Sequence, residues 1–390
     1  MLAELALSPG PNSTATRATP LARRTVRALA ALPDPAFLLI IALTYVGVTL
    51  WLGRHLWFYY DECDFLARSL GNPMDYLRPH NEHFVALPFL LYGVWRLLVG
   101  TESYAPYLLL LAITQIFMAA GLYRLLVSRS RWFAIFAFAL LLFLGSGHEN
   151  QFWAFQVGFV LATGFGVWAL VMADRQRPLA TALLLTASAA SSTIGVAFIP
   201  AAAAVIGRQR GIAWLALPVL AFGAWYAAFG RATASVNRVF APESMVLVPG
   251  YVLGSVHNAL AVITGLGPVA AAVLLLSLLG GATIAFGRGW HPPGLLVGAL
   301  VGMVAFFAVI GLGRAQLPIY PPRYVTTAAV FVLAGVGSLL PLRIPPSARR
   351  FALAAALMVG FVAITSNALA MREGAQIQLA LTQTELRCEP

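Results

Sequence analysis

Residues 36–52 read AFLLIIALTYVGVTLWL, a run without a single charge, and residues 53–64 after it read GRHLWFYYDECD. The run is longer than the roughly 7–15 apolar residues of a signal-peptide core. No small-x-small cleavage site follows it, only Arg54-His55-Leu56-Trp57. It reads as an uncleaved membrane span that delivers a dense polar segment to the far side. Before it, residues 1–35 are small, polar and basic, with Arg17, Arg23, Arg24 and Arg27, and read as a cytoplasmic tail.

Outward from this stretch the apolar pattern repeats. Of the 390 residues, 60% are hydrophobic and 10% charged, against about 25% charged in an ordinary soluble domain. That leaves too little polar surface to cover a soluble globule, and far too much apolar surface for a disordered chain. The expected fold class is all-α, a polytopic helical membrane protein. Its 34 Gly and 24 Pro suit membrane helices better than soluble ones. The net charge of +11 comes from 25 Arg and no Lys, a composition typical of high-GC codon usage. The excess gathers in short loops between apolar runs, which makes it a topology signal and argues against a nucleic-acid partner.

Further apolar runs lie near 104–127, 132–145, 152–173, 179–206, 211–229, 251–286, 294–312, 324–341 and 351–371. At about 20 residues per span, the chain holds about eleven spans. The run 179–206 is broken by Ser188, Ser191, Ser192 and Thr193 and reads as a tight pair of short spans. The run 251–286 reads as a partly buried lead-in helix followed by a span at 267–286. The segment 84–99, interrupted by Pro88 and Arg96, reads as an interfacial helix within a first outer loop, 53–103. The scheme places a membrane domain over 36–371, an outer tail over 372–390 and the N-terminus inside. The inner segments then hold 15 Arg and only three acids, Glu4, Asp34 and Asp174. The outer face holds 11 of the 14 acids and five of the six His, so chemistry is expected there. Cys63 and Cys388 both fall outside, where a disulfide is allowed. The tail reads as mobile, so the two thiols are expected to stay free.

Three polar clusters stand out on that face. The first loop carries Tyr59, Tyr60, Asp61, Glu62 and Asp64, then His80-Asn81-Glu82-His83. Carboxylates beside apolar runs at a membrane surface are costly unless used, although a solvated loop with an aromatic belt would look similar. His80 and His83, at i and i+3, would share a face if helical, and Asp61 or Glu82 would complete a divalent metal site. Pro79 and Asn81 favour a turn as much as a helix, and no ligand set is assigned. The second cluster is His148, Glu149 and Trp153, at the ends of two spans. The third is Arg314 and Arg323, the latter in Pro321-Pro322-Arg323-Tyr324. An outer Arg is unexplained by topology; snorkelling or a lipid phosphate would account for it.

With these residues the chain resembles the GT-C superfamily of membrane glycosyltransferases that use polyprenyl-phosphate sugars, such as protein O-mannosyltransferases and aminoarabinose transferases. The resemblance rests on an Asp-Glu pair after span one, an interfacial helix at 84–99, and a span starting near Tyr104-Ala105-Pro106-Tyr107. The motifs Asp61-Glu62-Cys63-Asp64-Phe65, His80-Asn81-Glu82-His83 and Trp153-Ala154-Phe155-Gln156-Val157-Gly158-Phe159 look most like an actinobacterial branch, with Cys63 where an aromatic is usual. The resemblance implies a bacterial plasma-membrane enzyme. It would move a sugar by inversion from a polyprenyl-phosphate donor to a hydroxyl of a glycan, lipid or protein acceptor outside. Asp61 would be the catalytic base, with Glu62 as second choice or acceptor-orienting group. Arg323 and Arg314 would hold the donor phosphate. Asp64, His80, Glu82, His83, His148 and Glu149 would shape the pocket, with Tyr59, Tyr60 and Trp153 as flat faces for sugar or lipid. A lipid or sugar flippase, or a non-catalytic scaffold of envelope synthesis, are the alternatives from other classes.

Overall fold

The computed structural model describes residues 34–68, 70–207, 210–232, 241–287, 289–316, 320–340, 346–384 and 387–388. The basic tail to residue 33 lies outside them. The chain divides into one unit ending at Thr44 and a second from Tyr45 to Pro390. The described part of the first unit is the opening of helix α1 (Asp34–Leu52), where the Thr44 hydroxyl donates to the Ile40 carbonyl.

The described residues of the second unit form helices and connecting turns. They contain no strand, only two isolated backbone bridges. After α1 come three short elements, α2 (Asp61–Ala67), α3 (Pro73–Leu77) and α4 (Ala86–Val99). The bundle proper follows with α5 (Ala105–Leu126), α6 (Arg131–Leu142), a short α7 (Glu149–Phe152), α8 (Val157–Asp174), α9 (Pro178–Ser191) and α10 (Phe198–Ile206). It closes with α11 (Ala216–Trp225), α12 (Pro242–Thr264), α13 (Gly267–Gly287), α14 (Gly294–Arg314), α15 (Arg323–Leu339) and α16 (Pro346–Thr384).

Seven described helical segments are long and apolar enough to cross a membrane, and six shorter apolar helices accompany them. The chain is therefore an all-α polytopic membrane protein. In lipid no hydrophobic drive pulls helices together, so small residues must let them approach. Gly166 on α8 faces the Phe198 ring and Gly302 on α14 faces the Phe331 ring. Those two rings stack on each other at 4.8 Å, tying α8, α10, α14 and α15 into one core.

The interruption expected in 179–206 is present. Ser192 is extended (φ −168°, ψ 148°), and a 3-10 turn over Thr193–Ala197 leads into α10. At about 1.5 Å per residue, α9 and α10 are short legs of a hairpin whose tip is Ser192-Thr193. The lead-in helix expected before 267 is longer than anticipated: α12 covers 23 residues. Near its start Ser244 accepts a hydrogen bond from Gln316 at 2.9 Å. Near its end the Ile263 carbonyl accepts one from Asn367 at 3.1 Å, and Asn367 also accepts from Ser146. The C-terminal segment differs most from expectation. α16 continues unbroken to Thr384 and carries Gln378 and Thr382 into the interior. The segment 145–148 lies directly on α16. A methyl on Gly145 would collide with the backbone of Asn367 and Met371, and one on Gly374 would collide with His148.

Candidate functional site

The segment 53–103 is organised by a buried carboxylate. Glu62 has no exposed surface. It accepts from the Tyr59 amide (3.1 Å), the Tyr104 hydroxyl (2.9 Å), the Tyr92 hydroxyl (3.2 Å) and the Phe155 amide (3.1 Å). Tyr104 in turn accepts from the Ala154 amide at 2.8 Å. Burial outweighs these hydrogen bonds and pushes the Glu62 carboxyl up to about 8. Glu62 is thus an anchor between the loop, α4, the start of α5 and the 154–156 turn, which corrects its assignment as a base or acceptor-orienting group.

Anchoring Glu62 fixes its neighbours. Tyr60 is held at φ 54°, ψ −117°, a conformation that costs a non-glycine residue about 1–3 kcal/mol. Its ring is 57% exposed at the mouth of the site. Asp61 opens α2, and Asp64 lies one turn on along the same face. A tight turn brings His80 to both: His80 and His83 exchange backbone hydrogen bonds, with Asn81 at φ 43° and Glu82 at φ 62°. The His80 ring then bridges the carboxylates, with Nδ1 2.8 Å from Asp64 and Nε2 3.2 Å from Asp61. Burial opposes the charged ring, but the hydrogen bonds to Asp61 and Asp64 prevail and raise the His80 pKa. Arg68, its side chain 2% exposed, pairs with Asp64 at 2.5 Å and donates to the carbonyls of Asp75, Arg78 and Pro79. Burial works against the Asp64 charge, yet His80 and Arg68 hold its carboxyl down at about 2. Asp61 keeps a side chain 17% exposed, and among the described residues it is bonded through Oδ1 alone, to His80 and Asn81.

His83 faces the other way. Its Nδ1 meets the Ser192 hydroxyl at 3.1 Å, and Thr193 beside it donates to the Glu82 carbonyl at 2.9 Å. The tip of the α9–α10 hairpin therefore forms one wall of the site. Burial pushes His83 down to about 3, assisted by the positive charges of Arg314, His80 and Arg323. Arg323 pairs with Glu149 at 2.8 Å and lies over the Tyr324 ring. The Asn150 side chain donates to the Arg323 carbonyl at 2.7 Å, locking the start of α15 to α7. Arg314, at the end of α14, is half-buried and has no carboxylate partner among the described residues.

All three sequence clusters thus meet at one end of the bundle. Several members are structural, however. Tyr59 and Trp153 are buried and stack on each other at 5.3 Å, and the Tyr59 hydroxyl donates to Gln378 at 2.6 Å, so neither offers a face to a sugar. His148 is buried under α16, and burial pushes it down to about 4. Of the three proposed aromatic platforms, only Tyr60 is exposed. His80 and His83 point to different partners, and no group of three or more His, Cys, Asp or Glu that could hold a metal occurs among the described residues.

The two cysteines correct the expectation of free thiols. Cys63 and Cys388 form a disulfide across 325 positions. An antiparallel bridge between Tyr59 and Arg387 and a hydrogen bond from the Cys388 amide to the Phe58 carbonyl bring the chain end alongside α2. Arg68, Asn81, Asn150, Ser192, Thr193 and Gln378 are site residues that sequence reasoning did not assign. Only the Ser192-Thr193 break left a signal. No protein-family model, curated protein or solved structure matches the chain.

Proposed function

We propose that the protein is an inverting glycosyltransferase of the bacterial plasma membrane that moves a sugar from a polyprenyl phosphate to an acceptor hydroxyl at the outer face. The observation that carries this reading is a part-exposed carboxylate, Asp61, held by His80, with the charges of Arg314 and Arg323 reaching His83 in the same turn, within an apolar helix bundle. The Cys63–Cys388 disulfide belongs to an oxidising compartment and supports the outward orientation of this region. Eleven spans fit this orientation, with α12 lying across the outer end, since both of its ends bond to segments there.

In this reading the acceptor oxygen attacks the anomeric carbon opposite the phosphate while the free oxygen of Asp61 takes the hydroxyl proton. The carbon–oxygen bond to phosphate breaks and its electron pair leaves with the phosphate, which needs no protonation. Two functional carboxyls, as in glycosidases, are then unnecessary. His80, oriented by Asp64 and Arg68, fixes the Asp61 carboxylate by its Oδ1. Arg314 and Arg323 stabilise the charge growing on the leaving group. The test is release of polyprenyl phosphate from a panel of labelled polyprenyl-phosphate sugars by purified protein. Release dependent on Asp61 supports the reading, and binding without release would favour a carrier.

A further inference from the structure

The end of the bundle away from Asp61 carries charges that sugar transfer does not use. α5 starts beside Glu62, through Tyr104, and runs for 22 residues, so its last turn lies about 33 Å away. There α5 and α8 end side by side, and a cavity of about 370 Å³ opens between Arg124, Leu125, Ser128, Val171, Asp174 and Arg175. Small-molecule sites span roughly 300–1,000 Å³. The one acid of this lining is already taken. Arg129 donates to the Asp174 carboxylate at 2.9 Å and to the Leu125 carbonyl at 2.6 Å. Arg124 and Arg175 are exposed, and neither guanidinium has a hydrogen-bond or ion-pair partner among the described residues. Segments 124–131 and 171–178 together hold five Arg and one acid. The carbonyl ends of two helices add about half a negative charge each, which still leaves an excess of about three positive charges.

We propose that this cavity binds the phosphate of an anionic phospholipid between the guanidinium groups of Arg124 and Arg175. Both helices belong to segments long and apolar enough to cross a membrane, Ala105–Leu126 and Ala154–Asp174. Their lengths match the roughly 30 Å of bilayer hydrocarbon, so the cavity sits at the depth of the lipid phosphates. Guanidinium forks take phosphate oxygens in pairs. Two of them, from different helices, fix one headgroup across a cavity, which a single snorkelling side chain does not. The excess positive charge also selects among headgroups, because a zwitterionic lipid brings a choline cation in with its phosphate. This site stands apart from the chemistry at Asp61 and does not depend on it.

The test is native mass spectrometry of the full-length protein in detergent, titrated with phosphatidylglycerol or phosphatidylcholine. Wild type is expected to bind phosphatidylglycerol clearly tighter, and equal binding of the two lipids overturns the site. An Arg near a membrane surface contributes about fivefold to the binding of an anionic lipid. The double variant Arg124→Ala, Arg175→Ala should therefore weaken phosphatidylglycerol about tenfold to thirtyfold and leave phosphatidylcholine unchanged. Unchanged phosphatidylglycerol binding by this variant overturns the assignment. Arg124→Gln with Arg175→Gln keeps side-chain length and polarity, and should lose the preference equally if the alanine pair does not fold. Arg177→Ala, in the same segment but outside the cavity lining, should cost less than Arg124→Ala. An equal cost would mean diffuse surface charge and would remove the cavity as the site. Displacement of phosphatidylglycerol by inorganic phosphate at matched ionic strength would identify a soluble phosphate compound and overturn the lipid as occupant.

Discussion

The α2 wall and the α15 wall are built from the same kinds of charge but hold them differently. On the α2 side Asp64 is shared by Arg68, His80 and Arg78, and the buried guanidinium of Arg68 meets Asp64 and three carbonyls. On the α15 side Arg323 pairs with Glu149, and Arg314 has no carboxylate partner among the described residues. A charge buried in a network fixes backbone, whereas a charge outside one is left for a ligand. The contrast predicts that substitutions on the first side cost stability and substitutions on the second cost binding.

Asp64→Asn should show the largest loss of stability. It leaves Arg68 buried without its counter-charge, a defect worth about 3 kcal/mol, and a drop of several degrees in detergent thermal unfolding is expected. A change no larger than that of Arg314→Ala would erase the distinction between the walls. Removal of the disulfide by Cys388→Ser should cost a comparable amount, about 2–4 kcal/mol by loss of the cross-link, and should free Cys63 for alkylation without reductant. Alkylation of both thiols in unreduced wild type would contradict the pairing.

The pH response comes next in size. The raised pKa of His80 means its bridge is complete below about pH 6.5 and is lost as pH rises through the folded value. Asp64, held at about 2, contributes above about pH 4 and loses that contribution only in strong acid. Glu62, raised to about 8, binds its proton more tightly when folded, so it too favours lower pH. His83 and His148, kept neutral by burial, lose stability as pH falls below about 6.5. Thermal stability should therefore be highest near pH 6.5 and decline toward both pH 4 and pH 9. Glu62→Gln should flatten the alkaline decline, and an unchanged slope would remove Glu62 as its source. The smallest effect is Arg314→Ala, expected to change stability by less than about 0.5 kcal/mol while weakening binding of undecaprenyl phosphate.

The sequence carried the fold class. Apolar runs mark the long helices, and the polar clusters picked out along the chain lie near one another in the folded protein. The break at Ser192-Thr193 was legible because hydroxyls interrupt an Ala-rich run. What was not legible is burial. Glu62 and Asp61 are adjacent acids in a string, and only the positions of Tyr92, Tyr104 and Phe155 send one inward. Tyr59 and Tyr60 are likewise neighbours, one stacked on Trp153 and one exposed. The tail was misread because the helical continuation from 372 to 384 looks, residue by residue, like a polar terminus. Gln378 and Cys388 have partners only in the folded chain.

The central claim is that Asp61 is the base of a sugar transfer, distinct from the anchoring carboxylate beside it. The most direct test is turnover of a labelled polyprenyl-phosphate sugar by wild type and Asp61→Asn, with donor binding measured on both. The account predicts a fall in turnover of about 10²–10⁴-fold, or about 3–5 kcal/mol of barrier, with donor affinity retained and a loss of thermal stability smaller than that of Asp64→Asn. Near-full turnover by Asp61→Asn, or no transfer by wild type from any donor it binds, would contradict it.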